Sequence, residues 1–255
     1  MTESAPVAEK VANGVAHDEL NRPDAFNALD LPLATALRDV VAEAAENDEV
    51  KVVLLSGRGK TFCAGGDVRM MASSESVGEA VHALATAVHQ GILALAQLPK
   101  PVVAAVHGSV AGGGIGLMCA ADLVLAGEST KFVAAYPGIA LTPDCSASWV
   151  LPRIIGERRA LEFLLLNKPL SAAEAKDWGL VSEVHADGQV HAAGAALAGM
   201  LAGGPAAAAL GMTRRLVRDS AGGALAAHLD LEAASISRFA AAEESKNLVR
   251  AFVTR

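Results

Sequence analysis

The segment 110–122, VAGGGIGLMCAAD, places four glycines in seven positions and offers no acid or base before Asp122. Such a stretch can still do chemistry through its backbone. The backbone N–H groups would then be the working part. The competing reading is close packing, since glycine puts no Cβ between a helix and its neighbour. A second glycine group, TFCAGGD at 61–67, poses the same choice. Among carboxylates, Asp144 in LTPDCSASW stands just ahead of an expected helix. There it can cap the helix or move a proton, and its neighbours in sequence leave both roles open.

Other motifs fail on spacing. GKT at 59–61 lacks the upstream glycine of a phosphate-binding loop, because that position holds Leu54. GGGIG is not a dinucleotide fingerprint: counted from Gly114, the third glycine falls on Cys119. No nucleophile elbow and no H-E-x-x-H occurs, and the seven histidines have no metal-ligand spacing, so no metal is expected.

The elements that must position these residues follow from periodicity. A short N-terminal strand precedes NALDLPLATALRDVVAEAAENDEV, where Leu33, Leu37, Val40, Val41 and Ala44 recur at helical spacing. KVVLLSG (51–57) reads as a buried strand. Residues 77–96 carry the stripe Val77, Val81, Leu84, Val88, Ile92 and Leu95, a helix that Pro99 ends. Strand 102–106 then runs into the glycines, which open a short helix. DLVLAG and KFVAAY read as strands. LSAAEAKDWGL carries a capping box, Ser171 with Glu174, and Gly179 just past the helix end. LVSEV is a last strand, and 189–252 reads as helical, with AGGP and AGG as helix ends. This is an α/β fold with a C-terminal helical region.

Three stretches taken together, LNRPDAFNALD (20–30), TFCAGGD (61–67) and VHGSVAGGGIG (106–116), resemble the crotonase (enoyl-CoA hydratase/isomerase) superfamily. The likeness continues through KFVAAYPGIALTPDCSASWVLPRIIG and LSAAEAKDWGLVSEV. It implies a crotonase-like spiral of ββα units over 1–188, a helical trimerisation region over 189–255, and a homotrimer or hexamer. It also implies an acyl-CoA thioester substrate and no cofactor, coenzyme A being part of that substrate. The oxyanion donors carried over are the backbone N–H groups of Gly66 and Gly113.

Hydratases of the superfamily use two glutamates, and the matching positions here hold Gly116 and Tyr136. Its double-bond isomerases carry a similar PD followed by small residues, which assigns the proton shuttle to Asp144. A single carboxylate suffices for isomerisation because it can return the proton it took. A related reading follows 4-chlorobenzoyl-CoA dehalogenase: Asp144 matches its nucleophile and His89 its hydrolytic base, though Tyr136 stands where that enzyme has a Trp. A third reading is an acyl-CoA binder without chemistry. The resemblance lays the coenzyme A path along Arg22, Ala25, Ala28, Ala64, Gly66, Asp67, Val68 and Gly113, with Arg58, Lys60 and Arg69 as nearby cations. LVRAFVTR could reach a neighbouring subunit. Asp18 stands where the superfamily usually has an apolar strand residue.

Composition bounds the rest. Hydrophobic residues make up 52% and charged residues 19% of 255, which excludes a disordered chain. A net charge of −7 without a basic run argues against nucleic acid. PVVAAVHGSVAGGGIGLMCAA is long enough to span a bilayer, but glycines and His107 interrupt it, so it is expected in the core and no membrane is expected. Three cysteines without metal spacing, and an N-terminus without a signal-like pattern, lead to a cytoplasmic expectation.

Overall fold

A computed structural model describes residues 5–204, 207–219 and 225–254. The N-terminus makes two strands where one is expected: β1 (Val7–Ala12) turns through Asn13 and Gly14, both at positive φ, into β2 (Val15–Leu20). Helix α1 (Leu31–Glu46) starts where the Asp30 carboxylate accepts from the Leu33 N–H at 2.9 Å. Then follow β3 (Val52–Gly57), α2 (Val68–Ser73), α3 (Val77–Gln97), β4 (Val102–Val106), β5 (Ser109–Ala111) and α4 (Gly113–Cys119).

The middle of the chain contains β6 (Leu123–Gly127) and β7 (Lys131–Val133). The strand expected over KFVAAY stops at Val133, because Ala135 turns to φ 66° and Tyr136–Ile139 form a 3₁₀ turn. Helices α5 (Ala147–Ile155) and α6 (Glu157–Leu166) precede β8 (Leu170–Ser171), α7 (Ala172–Trp178) and β9 (Glu183–His185). The capping box on α7 forms as expected, and Gly179 ends the helix at φ 81°. Four helices complete the described chain: α8 (Val190–Gly203), α9 (Ala207–Asp219), α10 (Leu225–Ala240) and α11 (Glu243–Val253). The AGG break at 221–223 lies outside the described residues.

Six strands form one sheet in the order β1-β2-β3-β4-β6-β9, parallel except for the β1–β2 hairpin. β3 and β4 are buried at every position, as parallel strands covered on both faces must be. One face packs against the main core with α1 and α3, and α8 lies across the other. Gly194 allows that approach, since a Cβ there would sit 2.8 Å from the Ala105 Cβ. A small second sheet, β5-β7-β8, stands beside the first.

The C-terminal end of α3 is clamped. Buried Arg214 of α9 donates to the carbonyls of Leu95, Ala96 and Leu98 and pairs with Asp122 at 2.6 Å. Asp122 also pairs with Arg218 at 2.8 Å and accepts from the Val102 N–H at the start of β4. No helix among the described residues is long and apolar enough to cross a membrane, and the 21-residue apolar stretch divides into β4, β5 and α4.

Candidate active site

The two glycine segments lie side by side. Cys63 and Val110 form a parallel bridge, with the Cys63 N–H donating to Ser109 O and the Ala111 N–H to Cys63 O. The chains then come so close that a Cβ on Gly65 would meet the Ala111 carbonyl oxygen at 2.9 Å. Gly65 has φ 95° and Gly112 φ 50°, a region that disfavours residues with a side chain.

This juxtaposition sets two amides. Leu29 bonds to the Gly65 carbonyl and accepts from the Asp67 N–H, so strand alternation turns the Gly66 N–H to the opposite edge. Gly113 is the first residue of α4, and its N–H has no intrahelical partner. Both glycines line a cavity of about 370 Å³.

The wall of that cavity is mostly apolar, with Met71, Val81, Leu84, Val88, Leu141 and Ile236 among its side chains. Asp144 is the one carboxylate on the wall among the described residues. It is 7% exposed, and burial pushes its pKa up to about 6, against hydrogen bonds from Tyr136 and Cys145 that act in the opposite direction. The N-cap role open to Asp144 is not the one observed. Helix α5 begins at Ala147 behind Ser146, and the turn leading to it holds Cys145 at φ 51° and Ser146 at φ 67°. That left-handed turn frees the Asp144 carboxylate from the helix end and leaves it on the cavity wall.

Asp144 is held from several sides. The Tyr136 hydroxyl donates to its main-chain carbonyl at 3.3 Å. The next residue is fixed by His89, whose Nε2 accepts from the Cys145 N–H at 3.2 Å. His89 is itself 4% exposed, bonds to the Leu229 backbone, and is driven by burial down to a pKa of about 4. It is thus a neutral imidazole behind the wall. Gly116, expected from the resemblance to match a hydratase glutamate, has no room for a side chain: a Cβ there would lie 1.7 Å from the Cys145 carbonyl oxygen.

The expected coenzyme A residues divide. Ala64, Gly66, Val68 and Gly113 line the cavity. Arg22 is engaged with Asp30 and Asp67 at 3.0 Å each and donates to Ala28 O. Asp67 also caps α2 through the Arg69 and Met70 amides. Ala25 and Ala28 sit on the turn that delivers Leu29 to the wall, and Arg58 pairs with Glu19 at 2.5 Å. The LVRAFVTR segment reaches the site of its own chain, where Phe252 is on the wall.

Sequence reasoning missed Cys145, Asn167 and Met71. Asn167, at φ 52° past α6, accepts from the Ala135 N–H at 2.7 Å and so props the left-handed turn before Tyr136. An Asn just past a helical run was its only trace in the sequence. The fold also gathers ligand-type atoms of His89, Asp144 and Cys145 within 4.8 Å of one another.

Paired amides on adjoining glycine loops, a buried carboxylate and an apolar chamber define a protein of the crotonase class. The enoyl-CoA hydratase/isomerase family model matches residues 10–255, and the chain belongs to that family. It is 33% identical to a 1,2-epoxyphenylacetyl-CoA isomerase of Escherichia coli (strain K12), over 89% of this chain and 87% of that one. It is also 33% identical to a 4-chlorobenzoyl coenzyme A dehalogenase of Arthrobacter sp, over 76% of this chain and 71% of the other. An enoyl-CoA hydratase structure from Mycobacterium avium subsp. paratuberculosis K-10 superposes with a TM-score of 0.89 at 31% identity. It covers 98% of this chain and 96% of its own.

Proposed function

We propose that the protein is an acyl-CoA isomerase that shifts a carbon–carbon double bond through a thioester enolate. The observation that carries this reading is Asp144, the one carboxylate among the described residues on the wall that also presents Gly66 and Gly113, and buried there. The thioester oxygen sits between the two amides. The Asp144 carboxylate takes the proton from C2 of a 3-enoyl thioester, and the electron pair delocalises into a dienolate whose oxygen charge the amides stabilise. The resulting carboxyl returns the proton at C4, leaving the conjugated 2-enoyl thioester. Hydration needs a second acid–base group and an activated water, and Gly116 and Tyr136 supply no carboxylate for it.

The apolar wall suits an aliphatic or aryl acyl group, and coenzyme A would enter past Ala64 and Val68. The working state in this reading is a homotrimer or a pair of trimers. Exposed Ile154, Leu161, Leu165 and Leu166 on α5 and α6 supply apolar surface for it.

A dehalogenase-like reaction keeps one supporting observation, the closeness of His89 to Asp144. Against it, the His89 Nε2 lone pair is taken by the Cys145 N–H. The deciding assay offers a 3-enoyl-CoA and follows the absorbance of the conjugated product, with Asp144→Asn beside it. Conjugation lost in the variant supports the isomerase. A wild type that binds the ester without turnover overturns it in favour of a binder, and a covalent ester on Asp144 during aryl-CoA turnover does so in favour of the dehalogenase.

A further inference from the structure

We propose that His89, Asp144 and Cys145 form a binding site for a thiophilic divalent cation of the Zn²⁺ type, and that such an ion shuts the active site. His89 of α3 meets the consecutive residues Asp144 and Cys145; all three are buried, and they bring one imidazole nitrogen, one carboxylate oxygen and one thiol sulfur within 4.8 Å of one another. Nitrogen, oxygen and sulfur together match borderline-soft ions rather than Mg²⁺ or Ca²⁺, which take oxygen ligands. On binding, the Cys145 thiol loses its proton to solvent. Thiolate and carboxylate then balance the charge of the ion, so the complex is neutral in an apolar wall.

The surroundings fit a ligand set. An ion at Nε2 displaces the 3.2 Å bond from the Cys145 N–H, a loss smaller than the binding free energy of a structural Zn²⁺ ion. The Leu229 backbone already bonds to His89, the support that metal-bound imidazoles generally have. Three protein ligands leave a fourth tetrahedral position for water, and two of the three, Asp144 and Cys145, line the cavity. The ion would lie against the oxyanion loop, since a Cβ on Gly113 would be 2.9 Å from the Cys145 sulfur. There it takes the Asp144 carboxylate and obstructs the thioester.

Metal binding stands apart from the isomerase reading, and only its effect on turnover rests on it. The test titrates the purified full-length protein with Co²⁺ and records the thiolate-to-cobalt charge-transfer absorption, then repeats the titration with acyl-CoA present. The expected result is one equivalent of Co²⁺ with that band, displaced by Zn²⁺ and opposed by acyl-CoA. Cys145→Ser loses the band, and His89→Gln weakens binding by more than the about 10–100-fold typical of outer-shell partners. No band at excess Co²⁺, or a band of equal strength in folded Cys145→Ser, overturns the proposal. If Cys145→Ser does not fold, unchanged affinity in His89→Gln overturns it equally. A protein inert toward 3-enoyl-CoA that still shows the cobalt band defeats the isomerase reading alone.

Discussion

A side-chain carbon on Gly116 would fall 1.7 Å from the carbonyl oxygen of Cys145. The loop that presents Asp144 therefore fills the room that a glutamate on α4 would need. Gly116→Glu should not restore hydration. It should unfold the site, with a loss beyond the about 1–3 kcal/mol usual for overpacking. Thermal unfolding together with a 2-enoyl-CoA hydration assay checks this, and a stable variant that hydrates would refute the steric argument.

Asp144→Asn should cut isomerase turnover by about 10²–10⁴ while acyl-CoA affinity stays near wild type. The working form is the carboxylate, and burial places its pKa at about 6. Turnover should thus be full above that pH and fall as pH drops through it, tenfold per unit. A kcat profile flat between pH 5 and 7 would remove Asp144 from the proton transfer.

His89 should behave as a positioning residue. His89→Leu leaves the buried Cys145 N–H without its acceptor, a loss of about 1–3 kcal/mol in stability, and loosens the turn carrying Asp144. We expect lower kcat with little change in KM, and an acid limb still set by Asp144, since His89 with a pKa of about 4 is uncharged across the working range. His89→Gln, which keeps an acceptor, should recover part of the loss. An acid limb that moves in either variant would show that His89 titrates in the reaction.

Asp18 is fully buried on β2, and neither of its carboxylate oxygens has a hydrogen-bond partner among the described residues. Burial, with Glu9 and Glu43 adding to it, raises its pKa to about 7. The folded state then holds a proton that the unfolded chain gives up near pH 4. The Asp18 contribution to stability is fully present below that pH and is lost as pH rises toward 7. Asp18→Val should add about 1–4 kcal/mol at pH 8 and flatten the decline between pH 4 and 7. Urea unfolding across that range is the measurement, and an unchanged slope would mean that Asp18 finds a partner in solution.

Much of the frame was legible because its signals are local. The stripe on α3, the Ser171–Glu174 box and the alternation of strands with helices need only neighbours in sequence. The glycine loops were legible for a similar reason, since Gly65 and Gly112 take backbone angles that few other residues adopt. Cys145 and Asn167 were not. Cys145 gains its place from an imidazole 56 residues away, and Asn167 from an amide 32 residues away. Pairing across such separations is decided by the closed fold, as is the left-handed turn that takes Asp144 off the helix end.

The Arg214 clamp has a consequence for how the molecule opens. Its guanidinium gathers the last carbonyls of α3, the helix that carries His89, and is itself neutralised by Asp122, the residue before β6 that also accepts from the Val102 N–H of β4. Prying α9 away would strand all of these groups in an apolar interior at once. The amides of α9 and of the last turns of α3 should therefore exchange their hydrogens as one cooperative unit, so that the tail and the catalytic wall share a single lifetime.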